Sequence, residues 1–140
     1  MDAAAEGASS VTTSALGEMI VELETAVHVH DQWETSALFP LIGQRCPPLL
    51  PVLVRLAEGL EREGSARAAL LLALDRVAQG HEDGQAAFIA SLRDYSLVRL
   101  GHLEVVQDYV LPVAIDYLSA QDWSLLAVAA VEPVFAPASR

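Results

Sequence analysis

Basic residues are scarce in this chain. Eight arginines and no lysine stand against nineteen acidic residues, so the formal net charge is −11 at pH 7. A field of that sign repels the phosphates of nucleic acids and the headgroups of anionic lipids. We therefore exclude nucleic acid and membrane surfaces as partners.

Cysteine and aromatic residues are also scarce. Cys46 is the only cysteine, which excludes an intramolecular disulfide and a metal site built from several thiolates. Aromatic residues make up 6% of the chain, little for a β-sandwich or barrel, whereas the 53% hydrophobic content is dominated by Ala, Leu and Val. This composition favours an all-α fold.

The sequence lacks an apolar run of the length that a membrane span needs, about 20 residues. Arg67, Asp75 and Arg76 interrupt the most apolar stretch. The segment 1–10 has neither the basic start nor the apolar stretch of a secretory signal. These features predict a cytoplasmic protein.

Apolar spacing predicts the first two of three long helices. Residues 1–10 are interpreted as a disordered leader, and a helix is expected to begin near Ser10 to Ser14, where Ser and Thr can cap it. That helix should stop near Gly43, ahead of a turn with two prolines. A second helix should begin near Pro48, with Glu63-Gly64-Ser65 as either a kink or a true break.

A third long helix and a short fourth complete the predicted bundle. The third should cover about Gln85 to Tyr117, with Pro112 either kinking it or ending its regular part. A short terminal helix is expected to open at Asp122-Trp123. The sequence therefore predicts an all-α antiparallel helical bundle over residues 11–133, followed by a frayed tail over 134–140.

The chemistry-bearing residues are densest around His30. His30 and Glu34 are four residues apart, so on a helix they point the same way, one turn apart. An imidazole and a carboxylate placed like this can hold one metal ion or lie between two. His28, two positions from His30, faces elsewhere. The alternative is a solvated His–Glu pair with no ligand.

The spacing around His30 recurs around His102. His30 lies ten residues before Pro40, with Leu-Phe preceding the proline, and His102 lies ten residues before Pro112, with Val-Leu preceding it. Together these segments resemble the second and fourth helices of the hemerythrin (HHE cation-binding) family. The resemblance extends from Glu18 to near Pro133.

The resemblance implies a four-helix bundle that holds non-haem iron between its helices. In that family the ligands are mostly His, carboxylates bridge the metals, and the site serves dioxygen binding, sensing or peroxide chemistry. His30, Glu34 and His102 match metal-ligand positions of the family pattern.

This sequence departs from the family pattern at several positions. Val106 stands where the family has its second carboxylate, and Gly59 falls where a third-helix His is expected. No His precedes His28, and the leader is short, so we expect the family's first helix to be absent. His81, in a glycine-flanked polar segment, is either a further ligand or, as its neighbours favour, a surface loop residue.

Two functions remain open from the sequence. Two imidazoles and one carboxylate form the known facial set for a single non-haem Fe(II) ion, so we expect a mononuclear or degenerate di-iron site. The alternative is a bundle that has lost its metal and acts as a dimerisation or protein-interaction module. A bundle without its first helix leaves an apolar groove, which predicts a homo-oligomer. The sequence leaves open whether the chain is an enzyme.

Overall fold

The computed structural model describes the backbone of residues 3–131 and the side chains of residues 14–131. Within these ranges the chain consists of helices and short connecting turns, without a strand. The predicted all-α helical-bundle class is therefore confirmed. None of the described helices has both the length and the apolar character that crossing a membrane requires. The predicted tail over 134–140 lies outside the described residues.

Three long helical stretches and one short helix follow one another along the chain. The first stretch comprises α1 (Ala3–Trp33), a π-helical turn (Glu34–Leu38) and α2 (Phe39–Arg45). After a 3₁₀ turn (Pro47–Leu49), the second stretch is α3 (Leu50–Ala78). The third comprises α4 (Gly84–Val105), a second π-helical turn (Val106–Val110) and α5 (Leu111–Tyr117), and the short helix is α6 (Ala120–Val131).

The structure differs from the sequence prediction at the start of the first helix, and it excludes a break in the second. α1 begins at Ala3 rather than near Ser10, so residues 3–10 of the predicted leader are helical. The alanine-rich start explains this, because alanine has the highest intrinsic helix propensity. α3 is also continuous through Glu63-Gly64-Ser65. One glycine inside a helix costs only about 1 kcal/mol relative to alanine, which does not suffice to break a helix of 29 residues.

Each π-helical turn lies directly ahead of a proline. The amide of Phe39 donates to the carbonyl of Glu34, and the amide of Leu111 donates to the carbonyl of Val106. A proline inside an α-helix removes one donor and its ring clashes with the carbonyl four residues earlier. π-helical turns are rare overall, occur mostly as single turns inside α-helices, and are frequent at functional sites. Pro112 therefore does not end its helix, which continues to Tyr117 as predicted.

The helices form two compact units. One unit contains residues up to Thr25 together with Glu61–Gly101, and the other contains Ala26–Leu60 together with the residues from His102 onward. We call them the Tyr95 unit and the Glu34 unit, after one buried residue of each.

The Tyr95 unit combines an apolar interior with a buried ion pair. Leu70 and Ala73 of α3 and Tyr95 of α4 are buried in it. Glu63 is 1% exposed, and its Oε1 accepts a hydrogen bond of 2.9 Å from Arg99 Nη1. A buried charge of this kind requires a partner, because desolvation strongly disfavours an isolated carboxylate.

The Glu34 unit is built on equivalent positions of the two proline-containing segments. Leu38 and Ile42 flank Pro40. Val110 and Ala114 flank Pro112, and each lies 72 positions after its equivalent. All four are at most 1% exposed and belong to one apolar cluster. Each segment has its own π-helical turn ahead of its proline, and equivalent residues of the two segments therefore pack into one core.

α6 is fixed to the Glu34 unit through the side chain of Asp122. Ser119 and Asp122 cap the helix reciprocally: the Asp122 amide donates to Ser119 Oγ, and the Ser119 amide donates to Asp122 Oδ2. Arg45 adds two hydrogen bonds, of 2.7 Å to Oδ1 and 3.1 Å to Oδ2. These donors, the Arg45 guanidinium first, hold the pKa of Asp122 well below its usual range.

This cap makes the stability of the fold dependent on acid. Because the folded-state pKa of Asp122 is depressed, its ionised form contributes stability above the unfolded pKa of about 3.9, and this contribution is lost as the pH falls further. We expect Asp122→Asn to lower the melting temperature at pH 7, and the difference from the natural chain to shrink below about pH 4. Melting curves recorded from pH 7 to pH 2 test this. A difference that stays constant over that range would show that the ionised carboxylate is not responsible.

Candidate metal centre

The centre of the Glu34 unit is a hydrogen bond between a carboxylate and an imidazole. Glu34 is the first residue of its π-helical turn, and His102 lies in the last turn of α4. Glu34 is 1% exposed and His102 is 7% exposed. His102 Nε2 donates to Glu34 Oε2 at 2.6 Å. The carboxylate and the imidazole are thus each other's hydrogen-bond partner in a buried position.

His30 approaches the other oxygen of the same carboxylate. It lies one helical turn before Glu34, and its Nε2 is 3.8 Å from Glu34 Oε1, too far for a hydrogen bond. The His30 side chain is 44% exposed. The structure therefore brings together the three residues predicted from the sequence: Glu34 and His102 are buried, and His30 lies at the surface end of the group.

Trp33 holds the helix on which His30 and Glu34 lie. The Trp33 indole Nε1 donates to the carbonyl of Leu126 at 3.0 Å, which ties the end of α1 to α6. Its ring centroid is 6.2 Å from that of His30, with the planes tilted by 53°. Packing of this kind restricts the orientation of the half-exposed imidazole.

Asp31 is a member of this group that the sequence interpretation missed. Among the described residues, one group of three His, Cys, Asp or Glu side chains is arranged to hold a cation, formed by His30, Asp31 and Glu34. One ligand atom from each lies within 4.8 Å of the others. The sequence signal is the spacing i, i+1, i+4, in which two neighbouring residues flank a third across one helical turn.

The remaining histidines do not join this group. His28 is exposed on α1, as predicted. His81 is exposed in the turn between α3 and α4, where its Nε2 is 3.1 Å from Gln79 Oε1. It belongs to the Tyr95 unit, whereas His30, Glu34 and His102 belong to the Glu34 unit.

Val106 removes the second carboxylate that the family pattern supplies. It is 7% exposed, lies one turn after His102, and belongs to the apolar cluster. Glu104 and Asp108 are exposed. Two cations a few ångströms apart repel strongly unless carboxylates bridge them, and among the described residues Glu34 is the carboxylate that approaches both imidazoles. The donor set therefore does not fit a di-iron pair, but its imidazole and carboxylate groups fit a single divalent cation.

Comparison with family models, with curated proteins and with solved structures found no match for this chain. The hemerythrin resemblance therefore rests on the sequence around His30 and His102.

Proposed function

We propose that this chain is a hemerythrin-like cytoplasmic protein that binds one non-haem iron ion at Glu34. The observation that carries the proposal is a buried carboxylate approached on its two oxygens by two imidazoles, those of His30 and His102. Imidazole and carboxylate ligands suit Fe(II). The buried charge of Glu34 supplies the attraction, and the net charge of −11 adds a weaker, salt-screened one.

The half-exposed His30 gives this site an open side. Dioxygen or peroxide can reach the group there, while Leu38 and Val110 close the apolar interior of the same unit. Bound iron would supply dioxygen binding, sensing or simple redox chemistry. The residues of the chain hold the cation, exclude water on the inner side and leave positions for a ligand on the outer side.

Iron content tests this proposal. We expect protein purified from iron-supplemented cells to contain at most one iron per chain, because one buried carboxylate is present at the site. Glu34→Gln and His30→Ala should reduce iron to background while the far-ultraviolet helical signal is kept. His28→Ala is the matched control, since His28 is exposed two positions away, and it should bind as the natural chain does. Two irons per chain with an oxo-bridge charge-transfer band would contradict the proposal.

A metal-free interaction module is the second candidate. The observation that favours it is the outer face of α6, where Leu125, Val128 and Val131 are each 58% exposed. Asp122, the one charged residue in the described length of α6, is buried. A helix that is apolar on both faces favours burial against a partner, and a second copy of this chain would meet no like charge there. Absence of iron under every condition, with a sedimentation coefficient that rises with concentration, would favour this candidate.

A further inference from the structure

The two sides of the Glu34 carboxylate leave different room for a cation. Ligand nitrogens and oxygens lie about 2.0–2.2 Å from a divalent transition metal, so two ligand atoms on one ion are roughly 3–4 Å apart. His102 Nε2 and Glu34 Oε2 are 2.6 Å apart and share a hydrogen bond. A cation cannot lie between these two atoms unless the buried pair separates.

The other side of the carboxylate is wider, and no hydrogen bond closes the distance between Glu34 and His30. Glu34 Oε1 is 3.8 Å from His30 Nε2, and Asp31 Oδ1 is 3.6 Å from His30 Nδ1. One ring nitrogen and one oxygen from each carboxylate lie within 4.8 Å of one another. Because the two shorter distances involve different nitrogens of the ring, the imidazole and the two carboxylates must draw closer together for one cation to bind all three.

We propose that His30, Asp31 and Glu34 are the metal ligands, and that His102 is a positioning residue that binds no metal. This assignment rests on the proposed function, which it deepens by replacing one ligand. One imidazole and two carboxylates suit Fe(II) or Mn(II) and disfavour Cu(I), which prefers sulfur ligands. The His30 side chain is 44% exposed and that of Asp31 is 15% exposed, so water completes the coordination from the solvent side.

His102 acts on the cation only through Glu34. By donating to Oε2 it fixes the carboxylate and leaves Oε1 on the side of His30. Hydrogen-bond partners of this kind typically alter metal affinity by 10–100-fold when they are removed. Removal of a ligand should lower the metal affinity further, because a bond to the metal itself is lost.

Titration with Mn(II) alone, followed by electron paramagnetic resonance of free and bound ion, distinguishes the two roles. We expect Asp31→Asn to abolish measurable binding, whereas the matched control Asp116→Asn, an exposed residue of α5, should leave it unchanged. His102→Leu should weaken binding by about 10–100-fold. His102→Gln should recover most of that loss, because its amide still donates to Glu34 while it is a poor metal ligand.

The nitrogen couplings of bound Mn(II) provide a second measurement. We expect the coupling of one imidazole, lost in His30→Gln and kept in His102→Gln. Binding that needs His102 but not Asp31, or couplings from two imidazoles, would overturn this assignment and leave the proposed function standing. Failure of the natural chain to bind Mn(II) or Fe(II), or binding unaffected by both Glu34→Gln and His30→Gln, would overturn the assignment and the proposed function together. Circular dichroism of each variant verifies that it is folded.

Discussion

Replacing Arg99 with methionine is expected to lower the free energy of unfolding by about 3–5 kcal/mol, because it leaves the buried carboxylate of Glu63 without its cation. Glu63 is 1% exposed, and Arg99 is 13% exposed by side chain. The Oε2 of Glu63 is buried with no hydrogen-bond partner among the described residues, so the ion pair at Oε1 is the compensation that the structure shows. Urea unfolding of Arg99→Met at neutral pH, followed by circular dichroism, measures the loss.

Two further variants test whether the loss of stability in Arg99→Met comes from a charge left unpaired in a buried position. Arg67 pairs with Glu24 at 3.5 Å, and both side chains are partly exposed, at 22% and 33%. Arg67→Met should therefore cost no more than about 1 kcal/mol. The double variant Glu63→Leu, Arg99→Met should regain much of the lost stability, because two apolar side chains need no compensating charge. Equal losses in Arg99→Met and Arg67→Met would contradict the assigned importance of the buried pair.

The Glu63–Arg99 pair also shows why local spacing could not predict the whole fold. Apolar residues at three- and four-residue steps predict helices, and the three long stretches and short α6 follow them. The same sequence reasoning predicted either a kink or a break at Glu63-Gly64-Ser65. The partner that allows Glu63 to be buried inside a helix is 36 residues away, and no local pattern indicates it.

The candidate site was predicted in part for the same reason. His30 and Glu34 follow from the i, i+4 rule, and His102 from the repeated distance to a proline. That distance has a physical basis, because each proline is preceded by a π-helical turn that starts six residues earlier. Asp31 was missed because neighbouring residues on a helix point about 100° apart, and the side-chain conformations place it and His30 within 4.8 Å of Glu34.

Substitution Val106→Glu is the sharpest test of the relation between the two proline-containing segments. Val106 lies 72 positions after Glu34, at the start of the equivalent π-helical turn, and is 7% exposed in the apolar cluster. Without metal, the substitution should lower the free energy of unfolding by roughly 3 kcal/mol, because it buries a carboxylate among apolar side chains. Val106→Gln is the matched control, because glutamine has the shape of glutamate but carries no charge.

Divalent iron should then distinguish V106E from V106Q. If residue 106 faces the group around Glu34, the V106E carboxylate supplies a further acidic ligand, one helical turn after His102. Free Fe(II) at about 100 times the dissociation constant of the V106E site would then stabilise V106E by about 2.7 kcal/mol for one bound ion. V106Q should show only the smaller stabilisation that the natural chain shows. Melting temperatures of the three proteins, recorded anaerobically with and without Fe(II), measure the difference. An equal response of V106E and V106Q would show that a carboxylate at this position does not reach the metal, and that the two segments share their helix geometry but not a ligand role.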